Sequence, residues 1–509
     1  MLARVFSFAL DGIDGYLVSV EANVTGGMPG FELVGLPDAA VRESRERVRA
    51  ALQNSGFTPP FTRVTVNLAP ADIKKTGPSF DLPIALAILY ASGQIAGEPP
   101  QDLVLLGELS LGGELLPVRG ALSMALAALK RGYRRLLVPA ANAPELACAE
   151  GAQVLPGRTL RQVADALGGG APISPQPSVP FASLLHERTE ANDLSSVIGQ
   201  TAAKRALEIA AAGGHSLLLV GPPGTGKTML ARCLPGLLPE MTLEESLETT
   251  RIHSAAGLLP PGTGLLTERP FRAPHHSASL AALVGGGRDA RPGEITLAHN
   301  GVLFLDELPE FQRSALDGMR QPLEDGFVSI VRANSRARYP AKAMLVASMN
   351  PCPCGYLGSR TRACRCAPQA IARYQSRISG PLLDRIDLRV EVGEVLQSSS
   401  LCPEKSETSA AVRERVKQAR ALEQQRYAGL GFYANSQIDA RQLERFCHLD
   451  AAGERLLAAA SARWGLSMRG RARVQKVART IADLAGSQQL LAEHVAEALQ
   501  YRLGGTGGR

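Results

Sequence analysis

The sequence predicts an α/β protein built from three packed blocks: a mixed α/β block, a parallel doubly wound sheet, and a helical block. Three observations predict it. Strand-like and helix-like runs alternate through the first four-fifths of the 509 residues, two Pro/Gly/Ser-rich breaks divide the chain, and 3.6-residue periodicity takes over from Thr408. With 45% hydrophobic and 20% charged residues and a mean hydropathy near zero, the composition excludes a disordered chain. The longest apolar run, Leu82 to Ala91, is too short to span a bilayer, and Asp11 and Asp14 interrupt the apolar stretch Val5 to Leu10 where a secretory leader would need continuity. The expectation is a cytoplasmic protein with no membrane role.

The first block, residues 1–168, alternates β-rich runs (Arg63 to Leu68, Leu103 to Leu109, Arg135 to Val138) with helical runs (Ala39 to Gln53, Leu82 to Ala91, Ala121 to Lys130). GGAPISPQPSVP, residues 169–180, is rich in proline and glycine and free of charge, so it predicts a linker over 169–184. The second block, 185–395, repeats strand and helix with glycine-rich connections, the pattern of a parallel sheet. A second linker, 396–405, carries QSSSLCPEK. The third block, 406–509, reads as packed helices, among them Ala411 to Ala428, Ala451 to Arg463 and Arg473 to Ala485.

The strongest chemical signal is Gly221-Pro222-Pro223-Gly224-Thr225-Gly226-Lys227-Thr228, after the apolar run Ser216 to Val220 and before a helix expected near Met229. Glycines there let backbone N–H groups wrap phosphates, Lys227 reaches the β and γ phosphates of ATP, and the Thr228 hydroxyl binds Mg²⁺. About 80 residues on, the apolar strand Val302 to Leu305 ends in Asp306 and Glu307. Buried strands do not end in paired acids without compensation; Asp306 suits the Mg²⁺ shell and Glu307 the attacking water. A third apolar strand, from Ala343, ends at Asn350, whose amide can polarise that water or simply form a turn before Pro351. Arg385 precedes the strand Leu388 to Val392. It can project into a neighbouring copy's nucleotide, or form a salt bridge with Asp384 or Asp387.

The net charge of +7 only hints at a polyanionic partner, but its placement is informative. Residues 327–383 hold nine Arg and Lys and no Asp or Glu. Within them Phe327 to Val331 and Ala337 to Pro340, joined at Asn334-Ser335, predict a β-hairpin that can grip a DNA backbone through Arg332, Arg336, Arg338 and Lys342, or be a merely solvated basic hairpin. A second acid-free stretch runs from Arg463 to Arg479. Cys352, Cys354, Cys364 and Cys366 offer four thiolates within 15 residues, enough for a closed structural Zn²⁺ site, against the alternative of four reduced thiols on a loop. Cys148, Cys233, Cys402 and Cys447 are isolated. His275 and His276 are expected to point apart, which favours packing or substrate contact over a shared metal.

The phosphate loop, acid pair, terminal amide and arginine, in this order, resemble an AAA+ ATPase. Arg269-Pro-Phe-Arg-Ala-Pro-His-His-Ser277, Met319-Arg-Gln-Pro-Leu-Glu324, Asn350-Pro-Cys-Pro-Cys-Gly355 and Arg377 to Asp387 resemble the magnesium-chelatase-like family, and within it the branch-migration helicases of natural transformation. The likeness covers essentially the whole chain. It implies a homo-hexameric, ATP-driven motor on single-stranded or branched DNA, working with recombination proteins, and a sensor-2 arginine at Arg469, with Arg473 as second choice. The rival within the family is a chelatase-type motor that remodels a protein partner. Lys75-Thr-Gly-Pro-Ser79 and Leu115-Leu-Pro-Val-Arg-Gly120 resemble the proteolytic domain of Lon, whose fold is that of ribosomal protein S5 domain 2. The position of that family's lysine base is Leu122 here, and Lys130 is the nearest lysine, so the resemblance implies the fold without the protease and a structural Ser79 that serves a turn or a helix cap.

Overall fold

The computed structural model describes residues 1–185, 192–287, 290–332, 335–394 and 407–503. The amino-terminal block is a seven-stranded mixed sheet in the order Gly30–Val34, Arg63–Ala69, Asp14–Thr25, Leu2–Asp11, Leu103–Leu105, Arg135–Pro139, Gln153–Gly157. Helices Ala39–Asn54, Asp81–Ala91 and Ala121–Lys130 form where the apolar runs predict them. Asp81–Ala91 is buried all round, as a helix apolar on every face must be. Its one charge, Asp81, is met by Arg47 at 2.7 and 3.0 Å, so the buried carboxylate keeps a fork of donors. Leu122 is buried, and Lys130 lies on the last turn of the same helix, eight residues on, or roughly 12 Å along the axis. Ser79 caps nothing with its side chain; the cap of Asp81–Ala91 is Phe80.

The 169–184 segment is not a free spacer. Gln176 N–H donates to Val154 O at 2.8 Å, Val179 N–H to Ala147 O at 3.0 Å, and Val179, Phe181 and Leu184 pack with Leu122 and Leu265. The proline-rich composition here serves an extended strap held by backbone bonds. The predicted 396–405 linker and Cys402 lie outside the described residues.

The middle block is a five-stranded, wholly parallel sheet in the order Phe271–Arg272, Val302–Leu305, Met344–Met349, Leu217–Val220, Leu388–Glu391. Leu217–Val220 and Val302–Leu305 are buried throughout, because helices cover both faces of such a sheet. The hairpin pairs Phe327–Arg332 with Ser335–Pro340, Phe327 opposite Pro340; Asn334, expected at its turn, lies outside the described residues. Its root packs on the amino-terminal block. Ile13 is buried in one cluster with Val328, Ile330, Ala337 and Tyr339. Gly12 has φ +64°, and a methyl group there would stand 3.1 Å from Ala337 Cβ, so both conformation and space select glycine. Arg251 clamps the same turn, donating to Ile13 O and Asp14 Oδ1 at 3.0 Å each.

The carboxyl-terminal block packs helices Ser409–Arg426, Ala440–Phe446, Ala451–Trp464, Met468–Leu484 and Ala492–Leu503. A buried polar network stitches them together. Asp483 accepts from Arg426 at 2.6 Å, Arg479 at 2.9 Å and Asn435 at 2.9 Å. Thr480 meets His215 Nε2 at 2.8 Å, and Arg473 pairs with Asp387, so the helical block is bolted to the start of the strand Leu388–Glu391.

Candidate active site

The phosphate loop leaves the carboxyl end of Leu217–Val220 and enters the helix Lys227–Leu237, which begins two residues earlier than the sequence suggests. Gly224 and Gly226 adopt φ +77° and +86° with open space around them, so they serve conformation. Gly221 serves space: a methyl group there would stand 2.2 Å from Val392 O. Thr225 Oγ1 donates to Pro222 O at 2.9 Å and stiffens the turn. Lys227 is buried, which pulls its ammonium below the usual lysine range, and it donates to Gly221 O at 2.8 Å, Pro222 O at 2.7 Å and Asn350 Oδ1 at 3.2 Å. The ammonium thus folds back on carbonyls that a phosphate would replace.

Thr228 Oγ1 donates to Asp306 Oδ2 at 3.0 Å. Hydroxyl and carboxylate converge as a Mg²⁺ shell requires, and hard oxygen donors fit that ion. Ser348, a lone buried hydroxyl in the apolar strand Met344–Met349, donates to Asp306 Oδ1 and accepts from Glu307 N–H at 3.3 Å. One side chain therefore fixes both acids, and its signal in the sequence is a polar residue facing inward from an otherwise apolar strand. Glu307 has φ +54°, a left-handed conformation unusual for a glutamate, and its carboxylate is half-exposed. His276 Nδ1 stands 3.6 Å from Glu307 Oε2. The two histidines do not point apart: their rings are tilted by 34° with centroids 4.0 Å apart, and His276 meets Phe311 edge-on. Sequence reasoning found neither Ser348 nor the His276–Glu307 approach.

Arg385 is held within its own chain, but not by the acids expected. Its guanidinium meets Glu324 at 2.6 Å and Pro381 O at 2.9 Å, while Asp384 pairs with Arg502 at 3.1 Å and Asp387 with Arg473. Against the cost of burial, His215 and Arg473 hold the Asp387 carboxyl well below the usual range. Ser216 and Asp387 precede their strands, whereas the phosphate loop follows Val220. Four residues at about 3.3 Å each put roughly 13 Å of strand between these arginines and their own phosphate loop. Arg469, one turn before Arg473, is exposed, and its charge bears on Glu324.

The four thiols converge. The Cys352, Cys354, Cys364 and Cys366 Sγ atoms lie within 4.8 Å of one another, with Cys352–Cys354 at 3.4 Å and Cys364 3.6 Å from both. Backbone amides of Tyr356 and Arg365 pull the Cys354 thiol below the usual range, while burial and the neighbouring thiols push Cys364 and Cys366 above it. Of the basic residues, Arg338 stacks on Phe327, 3.8 Å from the ring centroid. Lys342 sits at the hairpin's root with an exposed side chain, its N–H bonded to His299 at 3.0 Å. The Arg332 and Arg336 side chains lie outside the described residues.

Family profiles match three stretches: magnesium chelatase subunit ChlI over residues 193–400, subunit ChlI of Mg-chelatase over 20–142, and its carboxyl-terminal domain over 406–502. Competence protein ComM of Haemophilus influenzae is 46% identical across 98% of this chain and 97% of its own length. The chain belongs to the magnesium-chelatase-like family of AAA+ ATPases. YifB of Escherichia coli K12 is 44% identical across 98% of the chain and 97% of its own length. Lon protease of Mycolicibacterium smegmatis is 30% identical over 146 residues, 27% of this magnesium-chelatase-like chain and 18% of Lon, in keeping with a Lon-like amino-terminal region. Membership makes this magnesium-chelatase-like protein an ATPase that uses ATP and Mg²⁺. No helix among the described residues is long and apolar enough to cross a membrane.

Proposed function

We propose that the chain works in the cytoplasm as a hexameric DNA motor, a helicase or translocase that drives branch migration when incoming DNA recombines during natural transformation. The observation that carries the reading is the separation of Arg385 and Arg469 from their own phosphate loop by the depth of the sheet. Arginines so placed stabilise a γ phosphate only in an adjacent copy, which supports a ring. The acid-free segment 327–383 supports a polyanionic track, and full-length similarity to competence protein ComM supports DNA uptake as the setting, with recombination proteins as partners.

In this reading Lys227 and the 221–226 backbone bind the phosphates, Thr228 and Asp306 hold Mg²⁺, and Glu307 takes the proton of the attacking water, which Asn350 orients. Bound Mg²⁺ supplies charge neutralisation on the phosphates. Ser348 keeps Asp306 and Glu307 in register. Arg332, Arg336, Arg338 and Lys342 contact DNA, and Cys352, Cys354, Cys364 and Cys366 hold a structural Zn²⁺. The deciding measurement is ATPase rate and particle mass with and without single-stranded and branched DNA. Stimulation by DNA in a six-copy particle is expected; DNA-indifferent turnover that rises only with a protein partner would favour the chelatase-type remodelling motor instead.

A further inference from the structure

The four-cysteine loop is fastened to the nucleotide site from two sides. Asn350 follows the strand Met344–Met349, and Cys352 comes only two residues later. From the other side Gly355 approaches the phosphate loop: at φ +83°, a methyl group on it would stand 2.7 Å from Pro223 Cδ and 3.8 Å from Asn350 Cγ. Gly355 N–H donates to Cys352 O at 2.9 Å, so the turn that carries Cys352 and Cys354 is the turn that presses on Pro223. The far arm is tied down as well. Glu394 accepts from Ser359 Oγ at 2.7 Å, Thr361 Oγ1 at 2.8 Å and the Arg360 and Thr361 amides at 3.1 and 3.2 Å.

Residues 352–366 contain no helix or strand, and Cys352 is their one buried side chain apart from glycine. A loop with so little apolar burial cannot hold two neighbours in register unless it is cross-linked. Tetrahedral Zn²⁺ with bonds of about 2.3 Å gives sulfur–sulfur edges of about 3.8 Å. The three edges among Cys352, Cys354 and Cys364, 3.4 to 3.6 Å, are close to that and far longer than the roughly 2.05 Å of a disulfide, and Cys366 completes the set within 4.8 Å.

We propose that Zn²⁺ bound by these four thiolates sets the position of Asn350 and Pro223, so that zinc occupancy of the loop governs nucleotide binding and turnover next door. The inference rests on the ATPase and zinc readings above and adds a coupling between the two sites.

The test uses the full chain, with zinc per chain measured by atomic emission, affinity by titration with a fluorescent ATP analogue, and ATP turnover. Wild type is expected to hold one zinc per chain. Cys364→Ser with Cys366→Ser should lose the metal and weaken turnover by about tenfold or more, as loss of a supporting shell does. Gly355→Ala keeps all four thiols; it should retain zinc yet lose affinity and turnover, because its methyl group displaces Pro223. Wild type that neither contains nor takes up zinc would overturn the proposal. So would zinc loss that leaves affinity and turnover unchanged in a cysteine variant of wild-type melting temperature, or Gly355→Ala with full activity. Zinc-loaded wild type that binds ATP without cleaving it would fail the ATPase reading alone, and the dependence of ATP affinity on zinc would still decide the coupling.

Discussion

Lys227 and Asn350 are hydrogen-bonded across the phosphate loop, Nζ to Oδ1 at 3.2 Å, with the same ammonium capping the carbonyls of Gly221 and Pro222. In the proposed mechanism a nucleotide draws that ammonium away, which frees the Asn350 amide as the γ phosphate arrives. Lys227→Ala is therefore expected to abolish binding of a fluorescent ATP analogue. Asn350→Ala should retain binding within a few-fold and lower turnover by about 10². Equal losses of affinity in both variants would show that the amide acts on binding and not on water.

Glu307 is half-exposed, and its carboxylate stands 3.6 Å from His276 Nδ1, so it contributes little to holding the fold. Glu307→Gln is expected to keep ATP affinity and lose turnover by roughly 10²–10⁴, the range for a general base. Retained steady-state hydrolysis would remove Glu307 from the mechanism.

Arg385 must release Glu324 to reach a neighbour's nucleotide, so its loss should not harm the site in its own chain. Arg385→Ala and Lys227→Ala proteins, each inactive alone, are expected to regain ATPase activity when mixed, because interfaces then arise with an intact loop on one side and an intact arginine on the other. No recovery at any ratio would count against an arginine donated between copies.

Much of this site was legible in the sequence because its chemistry is local. The octet Gly221 to Thr228, the acids at the end of Val302–Leu305 and the terminal Asn350 each follow an apolar strand, and parallel strands bring their carboxyl ends together. The helices of the first block were legible for the same reason: each is a continuous apolar or amphipathic run. What escaped depends on tertiary contact. The opening hairpin Leu2–Asp11 with Asp14–Thr25 carries the run Phe6-Ser-Phe-Ala-Leu10, in which polar alternation fails because Ser7, Phe8 and Ala9 are all buried. Ser348, His276 and Glu324 find their partners 41, 31 and 61 residues away, from elements whose adjacency no local pattern encodes. The proline-rich stretch 169–180 reads as a linker from composition, and its backbone bonds to Val154 and Ala147 are tertiary contacts that composition does not encode.

The hairpin joins a charged surface to a buried root, and the two roles separate by mutation. Replacing Arg332, Arg336 and Arg338 with alanine should weaken DNA binding and flatten the dependence of log affinity on log salt by up to about one unit per lost phosphate contact. Arg338 also stacks on Phe327, so its replacement alone should lower the melting temperature slightly. An unchanged salt slope in the triple variant would clear the hairpin of phosphate contact.

Glu423 gives the helical block a pH dependence of defined sign. It is fully buried in Ser409–Arg426, Arg420 reaches Oε2 only at 3.4 Å, and Oε1 has no hydrogen-bond partner among the described residues. Burial pushes its carboxyl up to about 8. An unfolded glutamate titrates near 4.3, so between about pH 4 and 8 the folded chain keeps a proton that the unfolded chain has released. Stability therefore falls as pH rises through that window, by at most about 1.4 kcal/mol for each step of one in pH, and the loss is complete above about pH 8. Glu423→Gln keeps the shape without the charge. It is expected to match wild type near pH 4, to be more stable near pH 8.5, and to flatten the intervening slope in denaturant unfolding. A variant that tracks wild type across the range would mean that Arg420 and Arg426 keep the carboxylate ionised in the fold.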